Sequence, residues 1–340
     1  MTLPPLDALL DGMRVVSLPL RLRFRGVEHR EAVLVQGPAG WGEFAPFLEY
    51  DRAESSRWLA AAVEAAWVGF PEPVRQEVPV NATLPAVPPG QVADVLARYD
   101  GCRTVKVKVA ERGQSLADDV DRVAAVRDVV GADVRIRVDA NGGWDVDQAL
   151  AAIGALAAHG LEYAEQPCPR VEDLRALRVR LARNGIDVLI AADESIRKAS
   201  DPVRVAREEA ADLVVVKVAP LGGVRRALEI VEACGLPAVV SSALDTSVGI
   251  AAGIALAAAL PTLDHACGLG TVELLAADVA RPSLVPVGGL IAVGPAEVDP
   301  ELVDRAAAAP DRVAWWHDRV VACHRALEAT LQRPGAVSTY

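Results

Sequence analysis

From about residue 100 onward, two patterns of apolar and polar positions alternate along the chain. Short, continuous runs rich in Val, Ile and Ala are typical of strands that are buried on both faces, as in a parallel sheet. Each run is followed by polar residues and then by a longer segment with apolar residues at helical spacing. The predicted strands are 104–109, 134–138, 161–164, 188–191, 213–218, 238–240 and 263–266.

The segments between these runs carry the signals of helix ends. Ser115 precedes acidic residues and is a predicted N-cap, and Gly131 stands where a helix would end in a left-handed conformation. A repeated strand–helix unit forms either an open doubly wound sheet or a closed (β/α) barrel. Residues 78–83 supply an earlier strand. A total of seven or eight strands favours the α/β class with a modified TIM-type barrel.

The beginning of the chain shows a different pattern. Over residues 14–47 the sequence predicts an antiparallel meander with a turn at 37–40. Arg21, Arg23 and Arg25 alternate with apolar residues there, which is the period of a strand with one wet face. A helix over 55–68 is expected to follow.

The end of the chain is predicted to contain a strand over 290–293 and a helix through Trp315, Trp316 and Val320. Both ends together suit a small α+β capping domain packed on the barrel. We therefore expect the cap to comprise residues 1–85 and 286–340, and the barrel to comprise residues 86–285.

Composition narrows the class of function. A net charge of −11 argues against nucleic-acid binding, which requires a basic face. The longest apolar run, residues 248–260, is too short to span a bilayer, and the N-terminus lacks the pattern of a signal peptide. Five scattered cysteines without a CxxC pair indicate reduced thiols. We therefore expect a cytoplasmic protein with no membrane or nucleic-acid partner.

Lysine is rare, with four lysines against thirty-one arginines, so each surviving lysine is of interest. Arginine stays protonated, whereas a lysine with a depressed pKa can transfer a proton. Lys106, Lys108 and Lys217 stand on predicted strands and are candidate proton-transfer groups. Lys198, in a polar stretch, is interpreted as incidental.

Acidic residues end three consecutive predicted strands, at Asp139, Glu165 and Asp193. The carboxyl ends of barrel strands converge on one mouth, so these carboxylates would repel one another unless a cation lay among them. An all-oxygen set without His favours a hard divalent ion, Mg²⁺ first and Mn²⁺ as a substitute. Taken one at a time, each acid is more often a helix cap or a loop charge.

The lysines lie on the strands that flank the three acidic ones. Lys106 and Lys108 are two residues apart and point to one face, and Lys217 follows on the other side. A substrate carboxylate at the metal would lie between them, where one lysine could remove a proton from the neighbouring carbon. The metal and the positive charges would stabilise the resulting enediolate.

Five short motifs carry a resemblance to a known family. They are K-x-K at Lys106 and Lys108, D-x-N at Asp139 and Asn141, E-Q-P at Glu165, D-E-S at Asp193 and Glu194, and a lone Lys217. Together they resemble the enolase superfamily, in its muconate-lactonizing-enzyme-like branch. The resemblance implies a capped barrel and a divalent metal on the three acids, with Asn141 and Glu194 beside the ligands or the substrate.

A second region narrows the resemblance. It comprises Ser241-Ser242-Ala243-Leu244-Asp245-Thr246-Ser247-Val248-Gly249 and Gly268-Leu269-Gly270-Thr271. The first run is similar to the S-S-x-x-E-S-S-x-G pattern of the o-succinylbenzoate synthase family, with Asp245 in place of the usual Glu. The resemblance implies that Ser241, Ser242, Asp245, Gly270 and Thr271 lie around the substrate.

The reaction that this resemblance implies is the metal-dependent syn dehydration of 2-succinyl-6-hydroxy-2,4-cyclohexadiene-1-carboxylate to o-succinylbenzoate, in menaquinone biosynthesis. Lys108 would remove the proton next to the carboxylate and return it to the departing hydroxyl, while Lys217 holds positive charge. The substrate is a dicarboxylate and the protein is acidic, so attraction must be local. Arg21, Arg23 and Arg25 could supply it, or could simply form a solvated strand face.

Other functions stay open at this point. Racemization of N-acylamino acids, dipeptide epimerization or muconate-type cycloisomerization would use the same scaffold, since two lysines on opposite faces suffice for two-base chemistry. A Schiff-base aldolase would leave the three acids without a purpose. A non-catalytic binding barrel would leave all five polar groups unexplained. The oligomeric state is not predicted.

Overall fold

The structure is a computed structural model that describes residues 3–24, 26–198 and 201–332. Its strands are β1 Met13–Phe24, β2 Val27–Gly37, β3 Gly40–Phe44, β4 Glu77–Pro79, β5 Ala82–Leu84, β6 Thr104–Lys108, β7 Arg135–Asp139, β8 Leu161–Glu165, β9 Leu189–Ala192, β10 Leu213–Val216, β11 Ala238–Val240 and β12 Leu290–Ala292. Its α-helices are α1 Leu6–Asp11, α2 Arg52–Val63, α3 Val92–Leu96, α4 Leu116–Val130, α5 Val146–Leu156, α6 Val171–Arg183, α7 Glu194–Arg197, α8 Arg204–Arg207, α9 Val218–Leu221, α10 Val224–Cys234, α11 Ser247–Ala259, α12 Pro300–Arg305 and α13 Pro310–Leu331.

Strands β5 to β11 form one parallel seven-stranded sheet in sequence order, and helices cross over between them. The sheet closes at an eighth position, where Cys267 bridges Val80 on one edge and Gly268 bridges Ser241 on the other. The modified TIM-type barrel is therefore confirmed.

The predicted strand over 263–266 is wrong, because the pairing falls on the next two residues. At Gly268 the backbone passes so close to Ser241 that a Cβ would lie 2.6 Å from its hydroxyl oxygen. Residues 261–264 carry a proline and an aspartate and pair with neither edge of the barrel sheet. A short backbone contact replaces a regular strand there.

The predicted strand over 78–83 is divided in two. Its first part, β4, pairs antiparallel with β12 from the end of the chain, and only β5 joins the barrel. The strand predicted at 290–293 therefore exists as β12 and covers this edge.

The barrel helices start and end where the sequence signals placed them. The Ser115 hydroxyl accepts from the backbone N–H of Asp118, and the Asp118 carboxylate accepts from the backbone N–H of Ser115, which forms a capping box on α4. Gly131 ends this helix with φ of 76°. Val123 and Val126 on its inner face are completely buried against the barrel, and a fully buried side chain of this size stabilises a fold by about 1.5–3 kcal/mol.

The cap is built from both ends of the chain. The meander β1–β2–β3 is confirmed, and α2, extended by a π-helical turn over Glu64–Val68, packs against α13. Trp316 of α13 is completely buried, with its ring edge-on to Phe44 of β3 at 5.8 Å. The domain limits at residues 85 and 285 stay a prediction. Within the described ranges, no helix combines the length and hydropathy that a bilayer crossing requires.

Candidate active site

The three predicted acids lie side by side at the carboxyl ends of neighbouring strands. Asp139 is the last residue of β7 and pairs in register with Glu165, the last residue of β8, and Asp193 follows β9 directly. All three are buried, with exposures of 6%, 1% and 0%. The sheet order therefore brings them together as the strand-end pattern predicted.

Lys106 of β6 reaches into this group. Its Nζ lies 2.6 Å from Oε1 of Glu165 and 3.0 Å from Oδ2 of Asp139. Burial by itself lowers the pKa of Lys106, but the two carboxylates outweigh it and raise the pKa above its usual value. Lys106 is therefore a fixed positive charge.

The carboxyl group of Glu165 differs from the other two acids in the direction of its pKa shift. Burial raises its pKa to about 7, and Asp139 and Asp193 add to the rise while Lys106 opposes it. By contrast, Lys106 and Lys108 overcome the burial of Asp139 and hold its pKa below the usual range. Of the three acids, only Glu165 therefore has a raised pKa.

Lys108 points to the same end of the barrel but contacts different groups. Its Nζ donates to the backbone oxygen of Asp139 at 3.2 Å and to Oδ1 of Asn141. Asn141 has a φ of 45°, and its side-chain nitrogen donates to Oε1 of Glu194 at 3.2 Å. Asn141 and Glu194 therefore lie beside Lys108 and the acids, as predicted.

Lys217 lies on the opposite side of the acids, directly after β10 rather than inside the predicted strand 213–218. Its Nζ is 2.5 Å from Oδ2 of Asp193. Burial lowers the pKa of Lys217, and the charge of Asp193 opposes that shift. Burial raises the pKa of Asp193, but Lys217 and Arg197 outweigh it and bring it to about 2.

Sequence reasoning missed Arg197 and Gln166. Arg197, almost fully buried, donates to Oδ1 of Asp193 at 3.0 Å, to Oε1 of Glu194 at 2.6 Å and to the Tyr50 hydroxyl at 3.0 Å. Oε1 of Gln166 accepts from the backbone N–H groups of Asp193 and Ser195. The i, i+4 spacing from Asp193 to Arg197 was the available signal.

A cavity of about 470 Å³ lies over Lys106, Asp139, Asn141 and Lys217. Four of the predicted substrate residues line this cavity or lie next to it, namely Ser241, Ser242, Gly270 and Thr271. The Ser242 hydroxyl is 2.8 Å from that of Thr271 and donates to the backbone oxygen of Gly268 at 2.7 Å. Ser241 and Thr271 also line this cavity, and Gly270 begins the 3₁₀ turn that carries Thr271.

Asp245 is placed differently from the other predicted substrate residues. It lines a second cavity, of about 480 Å³, that also reaches Lys217 and Ser241 and is walled by Trp58 of the cap. Asp245 accepts from the backbone N–H of Ala243 at 3.0 Å. Its predicted place beside the substrate stays a prediction.

The arginines of β1 do not face the cavity. Arg21 and Arg23 are exposed, while Phe24 of the same strand lines the cavity together with Phe47. Arg25 lies outside the described residues. The described part of this strand therefore presents an apolar face to the site and its basic face to solvent.

The donor set can be compared with the needs of a metal. Within the described ranges, no group of three or more Asp, Glu, His or Cys side chains is placed so that it could hold a metal ion. Lys106 and Lys217 occupy oxygens of the three acids in this arrangement. In chemical type, three buried carboxylates with oxygen donors only are nevertheless the ligands that a hard divalent cation prefers.

Comparison with known proteins agrees with this geometry. Residues 91–297 match the family described as Enolase C-terminal domain-like, and residues 15–66 match Enolase N-terminal domain-like. The chain belongs to the enolase superfamily. In fold it is similar to 2-chloromuconate cycloisomerase from Rhodococcus opacus 1CP, with a TM-score of 0.73 and 22% identity over 88% of this chain and 98% of that one.

Two relatives define the family more narrowly. The chain is 56% identical to o-succinylbenzoate synthase of Mycobacterium tuberculosis (strain ATCC 25618 / H37Rv) over 96% of this chain and 97% of that protein. It is 58% identical to o-succinylbenzoate synthase of Mycolicibacterium smegmatis over 94% of this chain and 98% of that protein. Within the superfamily, it belongs to the o-succinylbenzoate synthase family.

Proposed function

We propose that this protein is a carbon–oxygen lyase that converts 2-succinyl-6-hydroxy-2,4-cyclohexadiene-1-carboxylate to o-succinylbenzoate, as a step of menaquinone biosynthesis. The observation that carries the proposal is the placement of Lys108 and Lys217 on opposite sides of the buried acids Asp139, Glu165 and Asp193. Membership of the o-succinylbenzoate synthase family supports it.

Lys108 is the proposed base. Its Nζ contacts the backbone oxygen of Asp139 and the side chain of Asn141, which lines the cavity, rather than a carboxylate, so it is not fixed in an ion pair. It takes the proton from the carbon next to the substrate carboxylate. The same ammonium then gives that proton to the hydroxyl group on the same face. The C–O bond breaks, water is released, and the ring becomes aromatic.

Lys217 and Lys106 supply positive charge in this proposal. Lys217 is held against Asp193 on the far side of the cavity, where its ammonium faces the negative charge that develops on the substrate carboxylate. Lys106 keeps Asp139 and Glu165 oriented. Neither group has to exchange a proton during dehydration.

Asp139, Glu165 and Asp193 would hold a Mg²⁺ ion, with Mn²⁺ as a substitute. When bound, the cation would neutralise the substrate carboxylate and withdraw electrons from it. Asn141, Glu194 and Arg197 keep the ligands in place through their hydrogen bonds. The cytoplasmic location stays a prediction from the sequence.

The second carboxylate of the substrate requires a polar end of the cavity. The hydroxyl groups of Ser241, Ser242 and Thr271 line it opposite the acids, and the turn at Gly270 brings the backbone close. We therefore propose a small-molecule dicarboxylate as the ligand, bound between the acid end and the hydroxyl end.

A second candidate function is racemization of an N-acylamino acid. The placement of lysines on both sides of the acids favours it, because two-base exchange needs a proton acceptor on each face. Epimerization of dipeptides and cycloisomerization are related alternatives on this scaffold.

The direct experiment is an ultraviolet assay of the cyclohexadiene substrate, run beside polarimetry of an N-succinylamino acid, with and without Mg²⁺. Rapid formation of the aromatic product that requires the metal supports dehydration. Optical rotation change without aromatic product would instead support the racemase, and absence of both would contradict the proposed function.

A further inference from the structure

A carboxylate of the cap reaches across to the start of a barrel helix. Glu43 of β3 is buried, and its Oε2 accepts from the backbone N–H of Thr246 at 3.1 Å and of Gly249 at 3.1 Å. The same oxygen accepts from the Thr246 hydroxyl at 2.5 Å. Three hydrogen bonds therefore join the meander of the cap to the N-terminus of α11.

This contact completes the capping of α11. The first N–H groups of a helix have no partner within the helix and require partners from elsewhere. Ser247 N–H donates to Asp278, Val248 N–H donates to the Thr246 hydroxyl oxygen, and Gly249 N–H donates to Glu43. The positive end of the helix dipole also favours the Glu43 carboxyl group at this place.

The cap holds the preceding loop as well. Residues 241–245 connect β11 to α11, and four of them line the proposed substrate cavity. Arg30 of β2 donates from Nε to the backbone oxygen of Leu244 at 3.1 Å. Leu244 has a φ of 62°, a left-handed conformation that a branched side chain adopts only when its surroundings impose it.

Packing around Gly249 shows how tightly these groups fit. A Cβ at this position would lie 2.6 Å from Cβ of Asp245 and 3.0 Å from the carboxyl carbon of Glu43. Glycine is therefore required where the cap carboxylate and the loop acid meet the helix. The loop, the helix start and β3 form one close-packed unit.

From these contacts we infer that Glu43 is a positioning residue for substrate binding, which fixes the shape of the 241–245 loop from the cap. This inference rests on the proposed function for the identity of the substrate. The loop lines the cavity, and the hydrogen bonds of Lys108 go to Asp139 and Asn141 rather than to this loop. Distortion of the loop therefore weakens binding of the substrate rather than proton transfer. The expected kinetic effect is therefore on KM more than on kcat.

The test compares Glu43→Ala and Glu43→Gln with Glu31→Ala in the full-length protein. Glu31 is a matched control, since it lies on β2 of the same sheet and accepts from Arg312 and Trp316, both within the cap. Glu43→Ala leaves buried N–H groups without an acceptor, so we expect KM for the cyclohexadiene substrate to rise about tenfold with kcat within about threefold. Glu43→Gln, which keeps an acceptor oxygen, should recover most of the affinity.

Hydrogen–deuterium exchange of residues 241–250 gives a readout that does not depend on activity. We expect faster exchange in this segment for Glu43→Ala and unchanged exchange for Glu31→Ala. Wild-type exchange and KM in Glu43→Ala, or an equal rise of KM in Glu31→Ala, would overturn the inference. If the wild-type protein lacked dehydratase activity while exchange behaved as expected, the proposed function alone would fail.

Discussion

Arg197 and Asp193 form a buried ion pair in which Nε of the arginine lies 3.0 Å from Oδ1 of the aspartate. The other carboxylate oxygen of Asp193, Oδ2, pairs with Lys217. The Arg197 guanidinium also donates to the hydroxyl group of Tyr50 in the cap. One side chain thus connects the cap, a proposed metal ligand and a proposed catalytic lysine.

We predict that Arg197→Met lowers the free energy of unfolding by about 3–5 kcal/mol, because it breaks the buried ion pair with Asp193, which then keeps only Lys217 as a charged partner. Urea denaturation followed by circular dichroism measures this. Arg170→Met is the control, since Arg170 pairs with Asp173 on an exposed surface. This variant should have the same free energy of unfolding as the wild type. Equal stability of the Arg197→Met and wild-type proteins would contradict the prediction.

Lys108→Ala and Lys217→Ala should each abolish dehydration and leave the fold intact. Loss of a positioned base such as Lys108 lowers the rate by about 10²–10⁴-fold. Loss of a charge that stabilises the intermediate, as proposed for Lys217, lowers it by about 10²–10³-fold. Circular dichroism checks the fold, and the ultraviolet assay checks the rate. Lys198→Ala should keep wild-type activity, because Lys198 is exposed and its charge lies over the Tyr50 ring. Full activity of Lys108→Ala would refute its role as the base.

Removal of divalent metal with EDTA should stop the reaction, and added Mg²⁺ should restore it. The physical reason is that Asp139, Glu165 and Asp193 offer three buried carboxylates, the ligand type that a hard divalent cation prefers. Because a ligand that binds only the native state stabilises it, Mg²⁺ at about 100 times its Kd should stabilise the protein by about 2.7 kcal/mol. Thermal denaturation of the wild type and of Asp193→Asn measures this shift, which the variant should lose.

The buried Glu43 predicts a pH dependence of stability. Burial, followed by the charge of Asp245, raises the pKa of Glu43 to about 8, while the Thr246 hydroxyl and Arg30 oppose the rise. A carboxyl group with a raised pKa stabilises the fold most at low pH. This contribution is lost as the pH rises from about 4.5 to about 8.

The measurement is the difference in unfolding free energy between wild type and Glu43→Gln across this range. The neutral glutamine cannot lose a proton, so the wild type should lose stability relative to the variant as the pH rises. A constant difference between pH 4.5 and pH 8 would show that Glu43 does not titrate there.

Local patterns predicted most of the barrel. Continuous apolar runs located six of its strands, and the polar residue after each strand located Asp139, Glu165, Asp193 and the lysines. These features depend on strand period and on the shared direction of parallel strands, and short segments of sequence are enough to predict both.

Contacts between segments that are far apart in the sequence could not be predicted from local patterns. Arg197 meets Tyr50, and Glu43 meets Thr246, across separations of 147 and 203 residues. The strand predicted at 263–266 failed because a close backbone approach at Gly268, rather than a run of apolar residues, closes the barrel. The place of Asp245 beside the substrate stays a prediction; it lines a cavity that also reaches Lys217 and Ser241.

The final helix, α13, has a consequence for biosynthesis of the protein. It buries Trp316 against Phe44 and accompanies α2, so the first fifty residues find their full packing only after residue 331 has left the ribosome. The strands that carry the lysines and acids leave the ribosome earlier, but the cap is completed only after α13 has been synthesised. A nascent chain, or one cut short before Pro310, therefore carries its lysines and acids without the Arg319 contact to the backbone of Phe47, a residue of the cavity wall.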